Sequence, residues 1–125
     1  MKTNNLIVDS FDKLPSPSYV CEEKLLENNL KLLKRIQDET DVNILLALKG
    51  FALWSTFDLC KKYLKGCCAS GLHEAILAKE EFGGEVHTYS AAFKDDEIDE
   101  IISISNHVVF NSFSQLKRYN DKAYG

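Results

Sequence analysis

The sequence predicts an α/β fold of about five parallel strands alternating with helices, and three observations carry the prediction. Short apolar runs alternate with stretches of helical period roughly every twenty residues. The run Ile44-Leu45-Leu46-Ala47-Leu48 has no polar alternation, as befits a strand covered on both faces within a parallel sheet. Each connection holds one helix and suits a parallel crossover. On this pattern alone, half of a closed barrel and a compact doubly wound sheet both fit. The 125 residues suffice for one domain but for only about half of an eightfold barrel, which needs ~250.

The elements follow in order. Residues 1–14 are polar and irregular around Leu6-Ile7-Val8, and read as an N-terminal tail or an extra strand. Pro15 and Pro17 bias the backbone toward an extended path into Ser18-Tyr19-Val20-Cys21, the first expected strand. From Glu22 to about Glu39, Leu25, Leu26, Leu30, Leu33 and Ile36 recur at helical spacing, and Glu27 and Lys31 stand one turn apart. The run 44–48 is the second strand. Trp54 to Leu64 reads as a helix, with Lys61, Lys62 and Lys65 near the end where cations suit the helix dipole and Gly66 as its stop. Cys67-Cys68-Ala69 forms a third strand, followed by a helix from about Leu72 to Phe82 that Gly83-Gly84 punctuates. Val86 to Tyr89 is the fourth strand, Asp95 to Ile104 a helix with Ile98, Ile101 and Ile102 inward, and His107 to Phe110 the fifth strand. A last helix starts over Ser114 to Tyr119.

Composition narrows the function classes. A formal net charge of −4 argues against nucleic-acid binding, which rests on clustered Lys and Arg. No apolar run approaches the ~20 residues of a membrane span. Cys21, Cys60, Cys67 and Cys68 have no CxxC spacing and no signal peptide precedes them, so reduced thiols and a cytoplasmic location are expected. His73, His87 and His107 have no metal-ligand spacing, so no metal is expected, and His107, opening its strand, falls on the side opposite the chemistry. The run Asp95, Asp96, Glu97, Asp99, Glu100 reads as a solvated helix start.

The residue chosen for chemistry is Lys49, which ends the apolar run at the carboxyl end of a strand, where α/β proteins place ligands. A primary amine at the mouth of an apolar pocket can lose its proton near neutral pH and form a Schiff base with an aldehyde cofactor. The position also suits a lysine snorkelling to water. The wider segment Leu46-Ala47-Leu48-Lys49-Gly50-Phe51-Ala52-Leu53-Trp54-Ser55 resembles the cofactor-lysine segment of the carboxynorspermidine decarboxylases, pyridoxal-phosphate enzymes of the alanine-racemase-like class (fold type III). The continuation Gly-Phe-Ala-x-Trp-Ser is its most specific part. The resemblance runs from Pro15-Ser16-Pro17-Ser18-Tyr19-Val20 through Ala69-Ser70-Gly71-Leu72-His73-Glu74-Ala75 and Phe82-Gly83-Gly84-Glu85-Val86-His87 to Phe110-Asn111-Ser112. It covers nearly the whole chain and about a third of the family's length.

The resemblance implies that residues 15–125 are the N-terminal part of a TIM (β/α)8 barrel of the pyridoxal-phosphate-binding type, with the rest of the barrel and a second β-domain outside the chain. It implies decarboxylation of carboxynorspermidine or carboxyspermidine in polyamine biosynthesis, with Lys49 holding pyridoxal 5'-phosphate. It further implies a small-molecule polyamine substrate and a site completed across a homodimer. Ser70, Gly71 and Glu74 match the family's Ala-Ser-x-x-x-Glu segment near the cofactor, and His73 directly precedes Glu74. Two departures stand out. Cys21 replaces the aspartate that usually caps the first helix, and Cys67-Cys68 stands where many related decarboxylases keep an aspartate. Tyr89-Ser90 and Asn111-Ser112 end their strands on the chemical side, and either line the pocket or begin loops. The phosphate cup and the partner of the pyridinium nitrogen are expected outside this chain, which alone is expected to be an inactive fragment. Two further readings remain: a pyridoxal-phosphate-binding or racemase-like barrel without decarboxylation, and a non-enzymatic half barrel that works by association.

Overall fold

A computed structural model of the chain describes residues 12–123. Four strands form one sheet in the order β1 (Leu45–Ala47), β2 (Gly66–Ala69), β3 (Glu85–Ser90) and β4 (His107–Phe110), every neighbouring pair parallel. Five α-helices accompany them: α1 (Glu23–Thr40), α2 (Phe57–Cys60), α3 (Leu72–Leu77), α4 (Ile98–Ile104) and α5 (Phe113–Ala123). Among the described residues the strand order follows chain order, without the reversal at a switch point that marks a doubly wound sheet.

Alternation along the strands separates two faces. Cys67 and Ala69 of β2 and Val86 and Thr88 of β3 are buried beneath helices, with Phe57, Cys60, Ala75, Ala78 and Phe82 in the same core. The intervening Cys68, His87 and Tyr89 are half-buried or exposed and lie on the face without helices. A second core joins Phe93, Ile98, Ile101 and Tyr119, with Phe93 edge-on to Phe110 at 5.5 Å between ring centroids. The strands are staggered. Ala47, Cys68, His87 and His107 share one lateral row, so the last residue of β1 is level with the first of β4.

Helix α1 follows its apolar spacing and ends at Asp41, a left-handed residue with φ 56°. Buried Gln37 couples it to the sheet: its Nε2 donates to the Tyr63 carbonyl at 2.7 Å, and its Oε1 accepts the Ile44 N–H at 2.8 Å. The cap position is Glu22, one residue after Cys21, and no side chain caps the helix start. The aspartate missing at Cys21 therefore has no substitute at the neighbouring position.

Three expectations change. Ser18-Tyr19-Val20-Cys21 is not a strand, since no neighbour pairs with it and Tyr19 is fully exposed; four strands, not five, make the sheet among the described residues. β-propensity supplies no partner, and an unpaired extended segment forms no ladder. The stretch Trp54–Leu64 is helical only through a 3-10 turn (Trp54–Thr56) and one α-turn, α2, because the Thr56 hydroxyl donates back to the Leu53 carbonyl at 2.8 Å and the chain unwinds after Cys60. Gly66 is the first residue of β2 and not a helix stop. It is glycine because its backbone meets β3, and an added Cβ would lie 2.0 Å from the Glu85 carbonyl oxygen. Elsewhere the expected helix over 72–82 continues past α3 as a π-turn (Ala78–Phe82), which Gly83 closes at φ 74°. Helix α4 begins at Ile98 after a turn, and α5 extends to Ala123. The tail or extra strand expected around Leu6-Ile7-Val8 lies outside the described residues.

Candidate active site

Because the four strands are parallel, their carboxyl ends form one edge carrying Lys49, Ser70, Tyr89-Ser90 and Asn111-Ser112. Lys49 follows β1 in a tight turn. The Leu48 N–H donates to the Cys68 carbonyl at 3.0 Å, and the Ala47 carbonyl accepts from both Gly50 and Phe51. Leu48 is buried in the main core while Lys49 is exposed, so the anchor and the amine are adjacent residues on opposite sides of the turn. Among the described residues, none of the ion pairs uses Lys49. Its ammonium is available to a ligand.

Ser70 follows β2, and its backbone N–H donates to the Glu74 carboxylate at 2.7 Å. Glu74 thus reaches back over the first turn of α3 and satisfies the N–H of Ser70, the residue before the cap position Gly71. The side chain of His73 is exposed on the same turn. Ser70, His73 and Glu74 are therefore one local cluster; among the described residues no hydrogen bond or ion pair joins it to Lys49.

At the far side of the edge, the Tyr89 hydroxyl donates to Asn111 Oδ1 at 3.0 Å, tying the end of β3 to the end of β4. Ser112 accepts the Gln115 N–H at 3.3 Å and so begins α5. Tyr89 and Asn111 are exposed on the edge, whereas Ser112 serves the helix start.

Sequence spacing missed one grouping. His87 Nε2 lies 3.1 Å from Glu85 Oε2, and the rings of His87 and His107 are 4.3 Å apart between centroids. His107 opens β4, and the stagger sets it level with Ala47, the last residue of β1. Glu85 and His87 are two apart on one strand, and His107 comes from the next. The signal was strand register, which spacing along the chain does not contain.

Two thiols sit under the sheet. Burial pushes the Cys67 thiol up to about 12 and also raises that of Cys60, whose sulfur lies 4.0 Å from the Thr56 hydroxyl. Neither faces the edge that carries Lys49.

By homology this chain is related to decarboxylases, a class of carboxy-lyases. More particularly, it is a homologue of carboxynorspermidine decarboxylase, matched over the N-terminal region. It is 46% identical over 112 residues to the carboxynorspermidine/carboxyspermidine decarboxylase of Campylobacter jejuni, covering 90% of this chain and 29% of that protein. It is 40% identical over 110 residues to the enzyme of the same name from Herminiimonas arsenicoxydans, covering 88% of this chain and 30% of that one. The carboxyaminopropylagmatine decarboxylase of Synechocystis is 45% identical over 108 residues, covering 86% and 28%. The crystal structure of Campylobacter jejuni carboxynorspermidine decarboxylase complexed with norspermidine superposes with a TM-score of 0.86 at 46% identity, over 89% of this chain and 30% of that one. The chain thus spans less than a third of the length of the relatives it matches. No family model matches it.

Proposed function

We propose that this chain contributes the lysine-bearing N-terminal part of a pyridoxal-phosphate-dependent decarboxylase that acts on carboxynorspermidine or carboxyspermidine in polyamine synthesis. The observation that carries the reading is the setting of Lys49: an exposed amine without an ion pair among the described residues, fixed by a buried neighbour at the carboxyl end of a parallel strand. A match of 112 residues in a chain of 125 necessarily includes it. The norspermidine in the Campylobacter jejuni structure supports a polyamine as product.

The residues present fit the cofactor's aldehyde end, since a lysine amine is the group that condenses with it. Lys49 would hold the cofactor covalently, and the Ala47 carbonyl turn would keep the amine from swinging away from the edge. When bound, pyridoxal phosphate supplies an electron sink for the carbanion left as carbon dioxide departs. Glu74, held by the Ser70 N–H, would keep a negative charge near the start of α3 and favour a cationic neighbour; Ser70 and His73 would line the same side. Phosphate-binding groups, the closing strands of an eight-stranded barrel over residues 15–125, a second domain and a homodimer partner would come from outside this chain. A cytoplasmic location belongs to the same proposal.

Borohydride reduction of the protein mixed with pyridoxal phosphate, followed by peptide mapping, tests the lysine. The expected result is one stable cofactor adduct on Lys49, lost in Lys49→Ala. Equal labelling of several surface lysines would sink the assignment. A product assay on the full-length protein separates decarboxylation from a racemase-like reaction, which releases no carbon dioxide.

A further inference from the structure

We propose that Glu85, His87 and His107 form a binding site for one divalent transition-metal ion of the zinc class, bridging β3 and β4 on the face of the sheet that carries no helices. Each residue offers one ligand atom, and these atoms all lie within 4.8 Å of one another. The backbone does the positioning. Glu85 and His87 point the same way because they are two residues apart on β3, and His107 is the register partner of His87 on β4.

The spacing is close to that of a bound ion. Zinc bonds of ~2.0–2.2 Å place neighbouring tetrahedral ligands roughly 3.3 Å apart. The Glu85 and His87 ligand atoms are already 3.1 Å apart, so an ion entering between them needs side-chain rotation and no backbone change. The two imidazole rings are tilted by 52° and so are not stacked flat against one another. Two imidazoles and a carboxylate are a borderline donor set, suited to zinc, cobalt, nickel or copper and poorly suited to calcium or magnesium.

Three ligands leave one coordination position open, which water or a ligand amine would fill. Cys68, the register partner of His87 on β2, points to the same face from the other side of that histidine. The site lies one side-chain row below the strand-end row of Ser70 and Tyr89, so a bound ion would form part of the floor beneath the Lys49 edge. The inference stands on this cluster alone and is independent of the decarboxylase reading.

The test is titration of the chelator-treated protein with zinc chloride and with cobalt chloride, read by calorimetry and by histidine ring NMR. One ion should bind per chain, and the ring nitrogens of His87 and His107 should shift in the wild type while those of His73 stay put. His87→Ala and His107→Gln should each lower zinc affinity more than about 100-fold, since even residues that only support a ligand carry 10–100-fold. His107 is exposed at the start of an edge strand, so its variant retains the fold and circular dichroism verifies this. Shifts at His73, a stoichiometry other than one, or affinity unchanged in His107→Gln would overturn the proposal. So would the absence of any ring shift in the wild type.

Discussion

Lys49 and Cys67 sit on opposite sides of the same sheet, and the contrast defines what each can do. The amine is exposed, whereas the thiol is sealed beneath α3 with its ionisation pushed up to about 12 by burial. Burial thus favours the neutral thiol over the nucleophilic thiolate. Iodoacetamide should leave Cys60 and Cys67 of the native protein unmodified over hours and label both once guanidinium unfolds it; mass spectrometry of the two peptides decides this. Labelling of native Cys67 at the rate of a free thiol would mean that the sheet opens readily. That Cys67 and Cys68 face opposite ways was legible, because strand alternation sends neighbours to opposite faces. The role of Glu74 was not. Its bond to the Ser70 N–H depends on where α3 begins, and a one-residue shift of a helix start is invisible to periodicity.

Between elements, single side chains set the geometry. Gln37→Ala would strand the Ile44 N–H and the Tyr63 carbonyl, and should lower stability by about 2 kcal/mol, read from the urea midpoint. Gly66→Ala would drive a methyl group into the Glu85 backbone and should cost about 3 kcal/mol or prevent folding, whereas Gly50→Ala should be tolerated, since its Cβ would meet only the Ala47 oxygen at 3.5 Å. The Tyr63 hydroxyl donates to Glu27 at 2.7 Å and ties α1 to the chain after α2. That bond, helped by Lys31, holds the Glu27 carboxyl below its ordinary value of 4.5 and holds the Tyr63 hydroxyl above 10.0. Its contribution is full above pH 4.5 and lost as pH falls through the lowered Glu27 value. It is also full below pH 10.0 and lost as pH rises through the raised Tyr63 value. Tyr63→Phe should therefore flatten the stability profile at both ends, and an unchanged profile would show that the tie contributes nothing. Helix α1 was readable from the spacing of its leucines. The stretch 54–64 was not, because apolar residues on nearly every side gave helix pattern to a segment whose direction is set by packing on Phe57, Cys60 and Leu64.

Among the described residues, the consequence of a sequential sheet with helices on one side is that no further strand pairs with β1 or β4 and the other face is left without a covering layer. Val109, Tyr89 and Trp54 are exposed there or along the carboxyl edge. Open edges recruit further strands. The 125-residue protein alone should self-associate as its concentration rises, measured by light scattering after size exclusion, and Val109→Lys should reduce the association; a strictly monomeric chain at all concentrations would contradict this. On the proposed function it should also release no carbon dioxide from carboxyspermidine with added cofactor, since that proposal takes the phosphate-holding groups from outside this chain. The parallel alternation was plain in the sequence. The choice between a sequential and a reversing strand order was not, because both arrangements are built from the same strand–helix alternation and differ in which strands end up as neighbours.

The stagger of the sheet gives its carboxyl edge a slope. Measured from the shared row, β1 ends at Ala47, whereas β3 and β4 each run three residues further, to Ser90 and Phe110. At ~3.3 Å per residue this is a rise of roughly 10 Å from one side of the sheet to the other. Lys49 therefore stands near the foot of a bank and not on a level rim. A molecule attached to it would have Tyr89 and Asn111 beside it as a flank, not beneath it as a floor, and would be approached from the low side, over β1.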